Sequence, residues 1–258
     1  MAFALITGGS GGIGLCLARE LASRKHDILL VARSAEKLAN LCSELRKEFN
    51  IRAEFLPVDL STPDAHLSVK SWLNKNSFEV DMLINNAGYG VWSPVEKASL
   101  AELTNMMNLN MNTLVSLCYM LLPELKKQPK SFILNVASTA AYQAVPTLAT
   151  YAASKSFVVL FTRGLRMELK KSTVSVSCLS PGATSTGFVD RAGMDSLKER
   201  AEKFSMKPEA VAKIGIAGML KGKAEIIPGF INWLSVNLTY FGPKNITEKV
   251  AEGLYKTN

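Results

Sequence analysis

The chain has 258 residues, a formal net charge of +8 and 48% hydrophobic residues, a composition too apolar for a chain that is disordered throughout. Its length fits one large α/β domain or two smaller ones. The basic residues are scattered, so they indicate no nucleic-acid partner, and the charge fits a solvated surface, an anionic small molecule or a membrane surface. Only two histidines and no CxxC pair occur, which disfavours a metal site or a Ser/His/Asp triad. Since neither a basic leader nor a bilayer-spanning apolar run is present, we expect a cytoplasmic protein.

Short β-rich runs alternate with helical patterns along the chain. Strands are predicted at 3–7, 27–32, 53–58, 80–84, 132–137, 174–179 and 224–227. Helices are predicted at 12–24, at 34–49, from Pro63 onwards, and at 99–127, 150–171 and 208–220. Because strands that alternate with long helices pair in parallel through right-handed crossovers, the pattern predicts one α/β domain over 1–258, a doubly wound, mostly parallel seven-stranded sheet flanked by helices. Irregular insertions are expected at 184–207 and 228–258.

A glycine-rich turn, Thr7-Gly8-Gly9-Ser10-Gly11-Gly12-Ile13-Gly14, lies between the first strand and the first helix. Glycines permit a tight turn and a close approach of the backbone to a pyrophosphate, and the N-terminal end of the following helix favours that anion. This context indicates a dinucleotide site formed by Gly8, Ser10, Gly11, Gly12, Ile13 and Gly14. A plain strand–helix turn, or a site for another nucleotide-like ligand, is the alternative.

The end of the second strand carries the residue that discriminates between cofactors. An acidic residue there binds the ribose 2′-hydroxyl of NAD, whereas an arginine binds the 2′-phosphate of NADP. The sequence reads Val31-Ala32-Arg33-Ser34, with no acid. It therefore favours NADP(H), with a solvated arginine at a strand end as the alternative.

Ser138, Tyr151 and Lys155 form the strongest candidate catalytic group. Tyr151 and Lys155 are one turn apart at the start of a predicted helix, so they share a face. An isolated phenol has a pKa of about 10, and a nearby ammonium lowers that pKa towards the range useful in acid–base catalysis. Ser138 follows a buried strand, where its hydroxyl can meet the same substrate oxygen.

Together these motifs resemble the short-chain dehydrogenase/reductase family over nearly the whole chain, in its standard-length YxxxK form and its NADP(H)-preferring, bacterial-like branch. Besides the glycine turn, Ser138 and the Tyr151/Lys155 pair, the matching features are Asp59-Leu60, Asn85-Asn86-Ala87-Gly88, Asn110, and Pro181-Gly182 with Thr186. The resemblance implies a Rossmann fold. It also implies an oxidoreductase that transfers a hydride between NADP(H) and a small-molecule carbonyl or secondary alcohol. The uncharged segment 226–243 favours an apolar substrate.

The resemblance implies a role for each catalytic residue. Tyr151 would be the general acid and base, and Lys155 would lower the pKa of Tyr151 and hold the nicotinamide ribose. Ser138 would polarise and orient the carbonyl. Asn110 would kink its helix and position a water in a proton relay.

The resemblance also implies cofactor contacts at the ends of the later strands. Asp59 and Leu60 would contact the adenine, and Thr184 and Thr186 would lie at the amide side of the nicotinamide. Asn86 would contact the cofactor ribose region. The remaining members of the cofactor site would be Ala87, Gly88, Pro181 and Gly182. Asp59 could instead cap the following helix, and Asn86 could instead tie adjacent loops together through its amide.

The substrate side of the site carries weaker signals. The polar stretch 185–205 would lie over the nicotinamide end and could close as a lid; its candidate substrate contacts are Phe188, Val189, Met194 and Leu197. Residues 226–243 carry no charge and are flanked by lysines at 221, 223 and 244. Asn232, Ser235 and Thr239 fall on one helical stripe. The segment is either a helix that covers the cleft or a subunit interface, or it lies on a membrane surface and gathers an apolar substrate.

Two functions of other classes stay open at this point, a non-catalytic dinucleotide-binding protein and another Rossmann-type enzyme such as a methyltransferase. The intact catalytic group disfavours the first, because a protein that only binds has no use for a tuned phenol. Arg33 and the Tyr151/Lys155 pair disfavour the second.

The resemblance further implies a homodimer or homotetramer paired through the helices at 99–127 and 150–171, unless the apolar residues of those helices simply face the sheet.

Overall fold

The structure is a computed structural model that describes residues 2–192, 205–244, 247–249 and 253. Within these residues seven parallel strands form one sheet in the order β3-β2-β1-β4-β5-β6-β7. The strands are β1 (Phe3–Thr7), β2 (Asp27–Ala32), β3 (Ala53–Pro57), β4 (Val80–Asn85), β5 (Ser131–Val136), β6 (Val174–Leu179) and β7 (Glu225–Ile226). The predicted doubly wound α/β sheet is confirmed, and its strand bounds differ from the predicted ones by at most one residue.

Helices cover both faces of the sheet. They are α1 (Gly12–Ser23), α2 (Ala35–Phe49), α3 (Ala65–Lys75), α4 (Leu100–Met107), α5 (Thr113–Leu125), α6 (Ala149–Glu168), α7 (Phe188–Ala192), α8 (Pro208–Leu220) and α9 (Phe230–Phe241). One core cluster joins α1, α2 and α8 to the face that carries Ala4 and Ile6. A second joins α3, α5 and α6 to the face that carries Phe3 and Leu5. Because β1, β2 and β5 are buried at every position, they appear in the sequence as continuous apolar runs rather than alternating ones.

The third helix begins later than predicted, at Ala65 rather than Pro63. The reason lies in the preceding turn, where Asp59 Oδ1 accepts hydrogen bonds from the backbone N–H (3.0 Å) and the hydroxyl (2.7 Å) of Ser61. The N–H of Thr62 also donates to the carbonyl oxygen of Asp59, at 3.4 Å. These bonds hold the residues before α3 in a turn, so Asp59 caps that turn and not the helix.

The continuous helix predicted over 99–127 is wrong, because a π-helical turn, Asn108–Asn112, separates α4 from α5. A π turn inserts one residue into the helix and commonly marks a functional position. Here it turns Asn110 inwards, where the residue is almost fully buried. The π turn lies at the position where the resemblance implied a kink, and the kink itself stays a prediction.

The segment 184–207 was expected to be irregular but contains a helix, which corrects that prediction. The insertion 228–258 also contains a helix, as the helical stripe within 226–243 indicated. α7 follows the end of β6, and α9 is formed by a run without proline or glycine that begins after Gly229. Asn232 faces the protein, since its Nδ2 donates to the carbonyl oxygen of Pro228 at 2.7 Å, whereas Phe230 and Ile231 are exposed. Among the described residues, no helix is both long and apolar enough to cross a bilayer.

The order of the strands reverses between β1 and β4, since β2 and β3 lie on one side of β1 and β4 to β7 on the other. In open parallel sheets, ligands bind in the crevice at the carboxyl ends of the strands where this reversal occurs. The chain leaves β1 through the glycine-rich turn and leaves β4 through Asn86, so two predicted motifs meet at this crevice.

Candidate active site

The glycine-rich turn connects β1 to α1 and is tightly packed at its base. Gly8 has a φ of 68°, in the left-handed region that favours glycine. A Cβ at Gly14 would lie 2.3 Å from the carbonyl oxygen of Gly8, so any side chain there would push the first turn of α1 away from the strand. Glycine at these two positions is therefore required by the backbone alone.

The front of the same turn faces the crevice. Gly11 is exposed, and a Cβ at this residue would meet nothing within 4 Å. Gly12 begins α1 with a φ of 54°, and Ser10 and Ile13 lie half-buried on the turn. The first N–H groups of α1 point towards this open space, and such a helix end favours a phosphate group. The geometry fits the pyrophosphate of a dinucleotide.

Asn86 ties the ends of β1 and β4 together. Its side-chain Nδ2 donates to the carbonyl oxygens of Thr7 (3.0 Å) and Gly8 (3.3 Å). The backbone N–H groups of Asn86 and Ala87 both donate to Thr7 Oγ1, each at 3.0 Å. The alternative role for Asn86, as a link between loops, is thus present in the structure, and its contact with the cofactor ribose stays a prediction.

The ends of β2 and β3 form the far side of the crevice. Arg33 is exposed and, among the described residues, makes no ion pair. Burial pushes the pKa of Asp59 up, but hydrogen bonds from Ser61 and the positive charges of Arg33 and Arg191 outweigh it, so the pKa lies below its ordinary value. Leu60 is buried in the core below. An anion placed here would meet a cation and an ionised carboxylate.

Tyr151 and Lys155 lie in the first turns of α6 and are 7% and 5% exposed. Lys155 Nζ lies 5.9 Å from the centroid of the Tyr151 ring and donates to the carbonyl oxygen of Val136, at the end of β5, at 2.9 Å. Burial lowers the pKa of Lys155 to about 8, so the ammonium form still predominates at pH 7. The charge is held beside the phenol by the end of a central strand.

Asn110 joins the loop after β4 to α6. Its Nδ2 donates to the carbonyl oxygen of Tyr89 and to Ser154 Oγ, each at 3.0 Å, and its Oδ1 accepts the N–H of Tyr89 at 3.2 Å. Ser154 Oγ in turn donates to the carbonyl oxygen of Tyr151 at 2.7 Å. A Cβ at Gly88 would lie 2.8 Å from Asn110 Oδ1 and 3.2 Å from Lys155 Nζ. The loop, the π turn and the catalytic helix therefore form one bonded unit.

Ser138 caps the short 3₁₀ turn Thr139–Tyr142 that follows β5, and its Oγ accepts the N–H of Ala140 at 3.1 Å. The other end of this turn is anchored, because Tyr142 Oη donates to Glu225 Oε1 and lies 2.9 Å from Ser180 Oγ. Burial, followed by the bond to Glu225, raises the pKa of Tyr142. Ser138 is thus fixed between β5 and the anchored Tyr142.

The chain after β6 crosses the crevice towards the glycine turn. The carbonyl oxygen of Pro181 accepts the N–H of Thr139 at 2.9 Å, and Gly182 packs against Asn232 of α9. Thr184 Oγ1 donates to the carbonyl oxygen of Gly182 at 3.0 Å. The Thr186 side chain lies 3.3 Å from the position of a Cβ on Gly12. This segment places Thr186 beside the first residue of α1, and the contacts of Thr184 and Thr186 with the nicotinamide stay predictions.

α7 lies against the catalytic helix. The ring of Phe188 lies 5.4 Å from the ring of Tyr151, centroid to centroid, and Phe188 also packs on Gly90. Its predicted contact with substrate stays a prediction. The side chain of Val189, together with Met194 and Leu197, lies outside the described residues.

The sequence model described as short chain dehydrogenase matches residues 2–197. The chain belongs to the short-chain dehydrogenase family. Reductases and dehydrogenases of this family act on CH–OH and C=O groups with a nicotinamide cofactor, and the chain is an oxidoreductase of this kind. The family that the glycine turn and Ser138, Tyr151 and Lys155 predicted is confirmed.

Individual relatives agree with this assignment. The very-long-chain 3-oxoacyl-CoA reductase of Rattus norvegicus is 30% identical over 246 residues, which span 93% of this chain and 77% of that protein. A short-chain dehydrogenase from Sphingobium yanoikuyae, solved in complex with NADPH, is 28% identical with a TM-score of 0.83, covering 94% of each chain. A Burkholderia phymatum member solved with NAD has a TM-score of 0.84 and is 22% identical, covering 92% of each chain, which shows a shared fold.

The sequence analysis missed Tyr89 and Ser154, whose bonds hold Asn110 in the site. Ser154 lies three residues after Tyr151, so the helical period alone places it on a face near the catalytic pair. Tyr89 directly follows the Asn-Ala-Gly motif and bonds through its backbone, which no side-chain pattern reports. Trp92 was also missed; within the described part of the chain its indole N–H is buried without a hydrogen-bond partner.

The depressed pKa of Lys155 makes the stability of the cofactor-free protein depend on pH. The unfolded state keeps the Lys155 proton up to a pH of about 10.4, whereas the folded state releases it near pH 8, so this lysine destabilises the fold fully below pH 8 and progressively less above it. We expect the stability advantage of Lys155→Met over wild type to shrink by about 2 kcal/mol between pH 7 and pH 9.5. Urea unfolding at both pH values measures it.

Lys170→Met removes an exposed lysine just beyond the same helix and serves as the control. Its difference from wild type should not change between the two pH values. If the difference between Lys155→Met and wild type is equally flat, the ammonium of Lys155 is not desolvated in the folded protein.

Proposed function

We propose that this protein is an NADP(H)-dependent short-chain dehydrogenase/reductase that interconverts a carbonyl and a secondary alcohol on an apolar substrate. The observation that carries the proposal is the buried pair in which Lys155 Nζ lies 5.9 Å from the Tyr151 ring. Burying an ammonium group costs free energy unless it is compensated. A protein that only bound a dinucleotide would have no use for such a charge beside a phenol.

The protein groups supply the proton and its placement. When bound, the reduced nicotinamide supplies the hydride. The Tyr151 hydroxyl donates a proton to the carbonyl oxygen, and its phenolate takes a proton from the alcohol in the reverse direction. The ammonium of Lys155 favours the phenolate and is kept in place by its bond to Val136. Because Ser138 Oγ accepts the N–H of Ala140, its own O–H proton is available to orient the same substrate oxygen.

The choice of NADP(H) rests on Arg33. The end of β2 has an exposed arginine and no acidic residue, which suits a 2′-phosphate. The Sphingobium yanoikuyae relative was solved with NADPH, and this supports the choice. The family also includes a protein solved with NAD, so the basis of the proposal is the residue and not the family.

The apolar character proposed for the substrate rests on the surroundings of Tyr151. A third hydrophobic cluster contains Tyr151 and joins the segments after β4 and β5 to α4, α6 and α7; its members include Tyr89, Met106, Val145, Leu148, Ala152 and Ala192, with Val91, Trp92 and Phe188 packed against it. A substrate whose carbonyl reaches Tyr151 must pass along these side chains. The name of the rat relative, a very-long-chain 3-oxoacyl-CoA reductase, supports an apolar substrate.

The exposed apolar side of α9 and the helices α5 and α6 suggest two further contacts. On α9, Phe230 and Ile231 are 73% and 79% exposed, and Lys221, Lys223 and Lys244 flank the helix, so we propose peripheral contact with an anionic membrane surface.

On α5 and α6, Tyr119 and Leu160 are exposed, and we propose that they pair subunits in a homodimer or homotetramer. A cytoplasmic location is also proposed, supported by four free cysteines.

Replacing Tyr151 by phenylalanine tests the catalytic assignment. The change removes the proton donor and keeps the ring, so we expect kcat to fall about 100- to 10,000-fold while NADPH affinity changes little. The assay follows NADPH absorbance with the fastest ketone from a substrate panel, and nucleotide fluorescence gives the affinity. Tyr119→Phe, at an exposed tyrosine of α5, should retain wild-type turnover. Retained turnover in Tyr151→Phe would exclude Tyr151 as the general acid.

Replacing Arg33 by alanine tests the cofactor assignment. A charge-assisted hydrogen bond to a phosphate contributes about 1.5–3 kcal/mol, so the wild type should bind NADPH roughly 10- to 150-fold more tightly than NADH, and Arg33→Ala should remove most of this preference. Rising salt should also reduce it by screening. Titration of both nucleotides measures the ratio, with Arg24→Ala on the remote end of α1 as the control. Equal wild-type affinities for the two nucleotides would refute NADP(H) specificity.

Paired surface substitutions separate membrane contact from subunit pairing. Phe230→Glu combined with Trp233→Glu should abolish sedimentation with phosphatidylglycerol vesicles and leave the oligomeric state unchanged. Leu160→Glu should do the opposite, lowering the mass measured by light scattering while vesicle binding persists. If the α9 changes dissociate the oligomer instead, α9 is a subunit interface and the membrane proposal is wrong.

A further inference from the structure

An arginine of α7, Arg191, packs on an aromatic ring of the loop that follows β4. The guanidinium carbon of Arg191 lies 4.3 Å above the centroid of the Tyr89 ring. Tyr89 is buried, its Oη donates to the carbonyl oxygen of Glu102 at 3.2 Å, and its backbone is bonded to Asn110. The ring is therefore a fixed surface, and the guanidinium that stacks on it is held in one region of the crevice.

The electrostatics of Arg191 show what surrounds it. Partial burial and then the positive charge of Arg33 lower the pKa of Arg191, while Tyr89 and Asp59 raise it. The positive charges of Arg33 and Arg191 thus act on each other, and the carboxylate of Asp59 interacts with both. Asp59 Oδ1 already accepts two bonds from Ser61. Among the described residues neither arginine forms an ion pair.

Arg33 and Arg191 carry two positive charges, and Asp59, whose carboxylate already accepts bonds from Ser61, carries one negative charge. The three groups together leave a net positive charge at the adenosine end of the crevice. A doubly charged phosphate placed between them would remove the repulsion and provide acceptors for both guanidinium forks. The end of β2 is where a 2′-phosphate lies in doubly wound sheets, and the charge of Arg33 at this end acts on Arg191. A pyrophosphate lies instead at the N-terminus of α1.

We propose that Arg191 is a second ligand of the 2′-phosphate of NADP(H), delivered by α7 and acting together with Arg33. This inference rests on the proposed use of NADP(H) and adds to it a residue from the substrate side of the fold. The phosphate is then bound by one cation from the sheet and one from the segment that crosses the crevice.

The attachment of α7 gives this arrangement a consequence for the catalytic residues. The N–H of Arg191 donates to the carbonyl oxygen of Gly187 at 3.1 Å, and the carbonyl oxygen of Ala192 accepts the N–H of Trp92 at 3.0 Å. Phe188, at the other end of the same five-residue helix, packs on the Tyr151 ring. A phosphate bound by Arg191 therefore stabilises the position of the aromatic ring that covers Tyr151.

Nucleotide titrations with matched variants test the proposal. Dissociation constants are measured for NADPH, NADH, 2′,5′-ADP and 5′-AMP on wild type, Arg33→Ala, Arg191→Met and the double variant. Methionine keeps an apolar stem over the Tyr89 ring and removes the charge. We expect Arg191→Met to weaken NADPH and 2′,5′-ADP about tenfold or more and NADH and 5′-AMP less than twofold, with Arg191→Lys retaining part of the preference. Lys213→Met, at an exposed lysine of α8, should change none of the four constants.

The outcomes distinguish this inference from the proposed function. If wild type shows no preference for NADPH, the cofactor assignment fails and the inference fails with it. If wild type prefers NADPH and Arg33→Ala removes the preference, but Arg191→Met leaves the NADPH/NADH ratio unchanged, the cofactor assignment stands and Arg191 is not a phosphate ligand. If Arg191→Met weakens all four nucleotides equally, Arg191 acts on the pyrophosphate or on the packing of α7, and the inference is again overturned.

Discussion

The arrangement of the site depends on one constraint, the burial of the Lys155 ammonium. A buried charge needs a fixed partner, and Lys155 finds it in the carbonyl oxygen of Val136, which is available because β5 ends there. Gly88 has to be small because a Cβ at this position would lie 3.2 Å from the ammonium nitrogen and 2.8 Å from Asn110 Oδ1. The sheet end, the loop after β4 and the π turn are thus arranged around a single charge.

The same burial explains why so many of the surrounding polar groups bond to one another rather than to solvent. Asn110 is bonded through both side-chain atoms, and Ser154 passes the connection on to the backbone of Tyr151. In a region of low dielectric constant, each unpaired group would cost more than it does at the surface, and each satisfied bond fixes geometry more firmly. The backbone of Tyr151 is therefore held in place by this chain of bonds.

Sequence patterns predicted the parts of the fold that depend on local order. The central strands β1, β2 and β5 were found because they are buried on both faces, and the glycine turn and the Tyr151/Lys155 pair were found because their spacing is short. The patterns failed where other contacts determine the local structure. The turn at Asp59 makes α3 begin later than predicted, and the extra residue at Asn110 interrupts a helix that periodicity predicts to be continuous. The helix α7 forms within a polar stretch that was expected to be irregular. Arg191 was missed because its neighbours Arg33 and Asp59 are far away in sequence.

The two sides of Tyr151 differ in a way that suits a proton transfer. On one side lie the ammonium of Lys155 and the bonded Asn110, and on the other lies the apolar cluster with Phe188 and Leu148. The apolar side excludes water, and a lower local dielectric constant strengthens the field that the ammonium exerts on the phenol. An apolar substrate would complete this exclusion when its carbonyl reaches Tyr151. The proposed preference for apolar carbonyl compounds and the proposed control of the proton would then have the same physical origin.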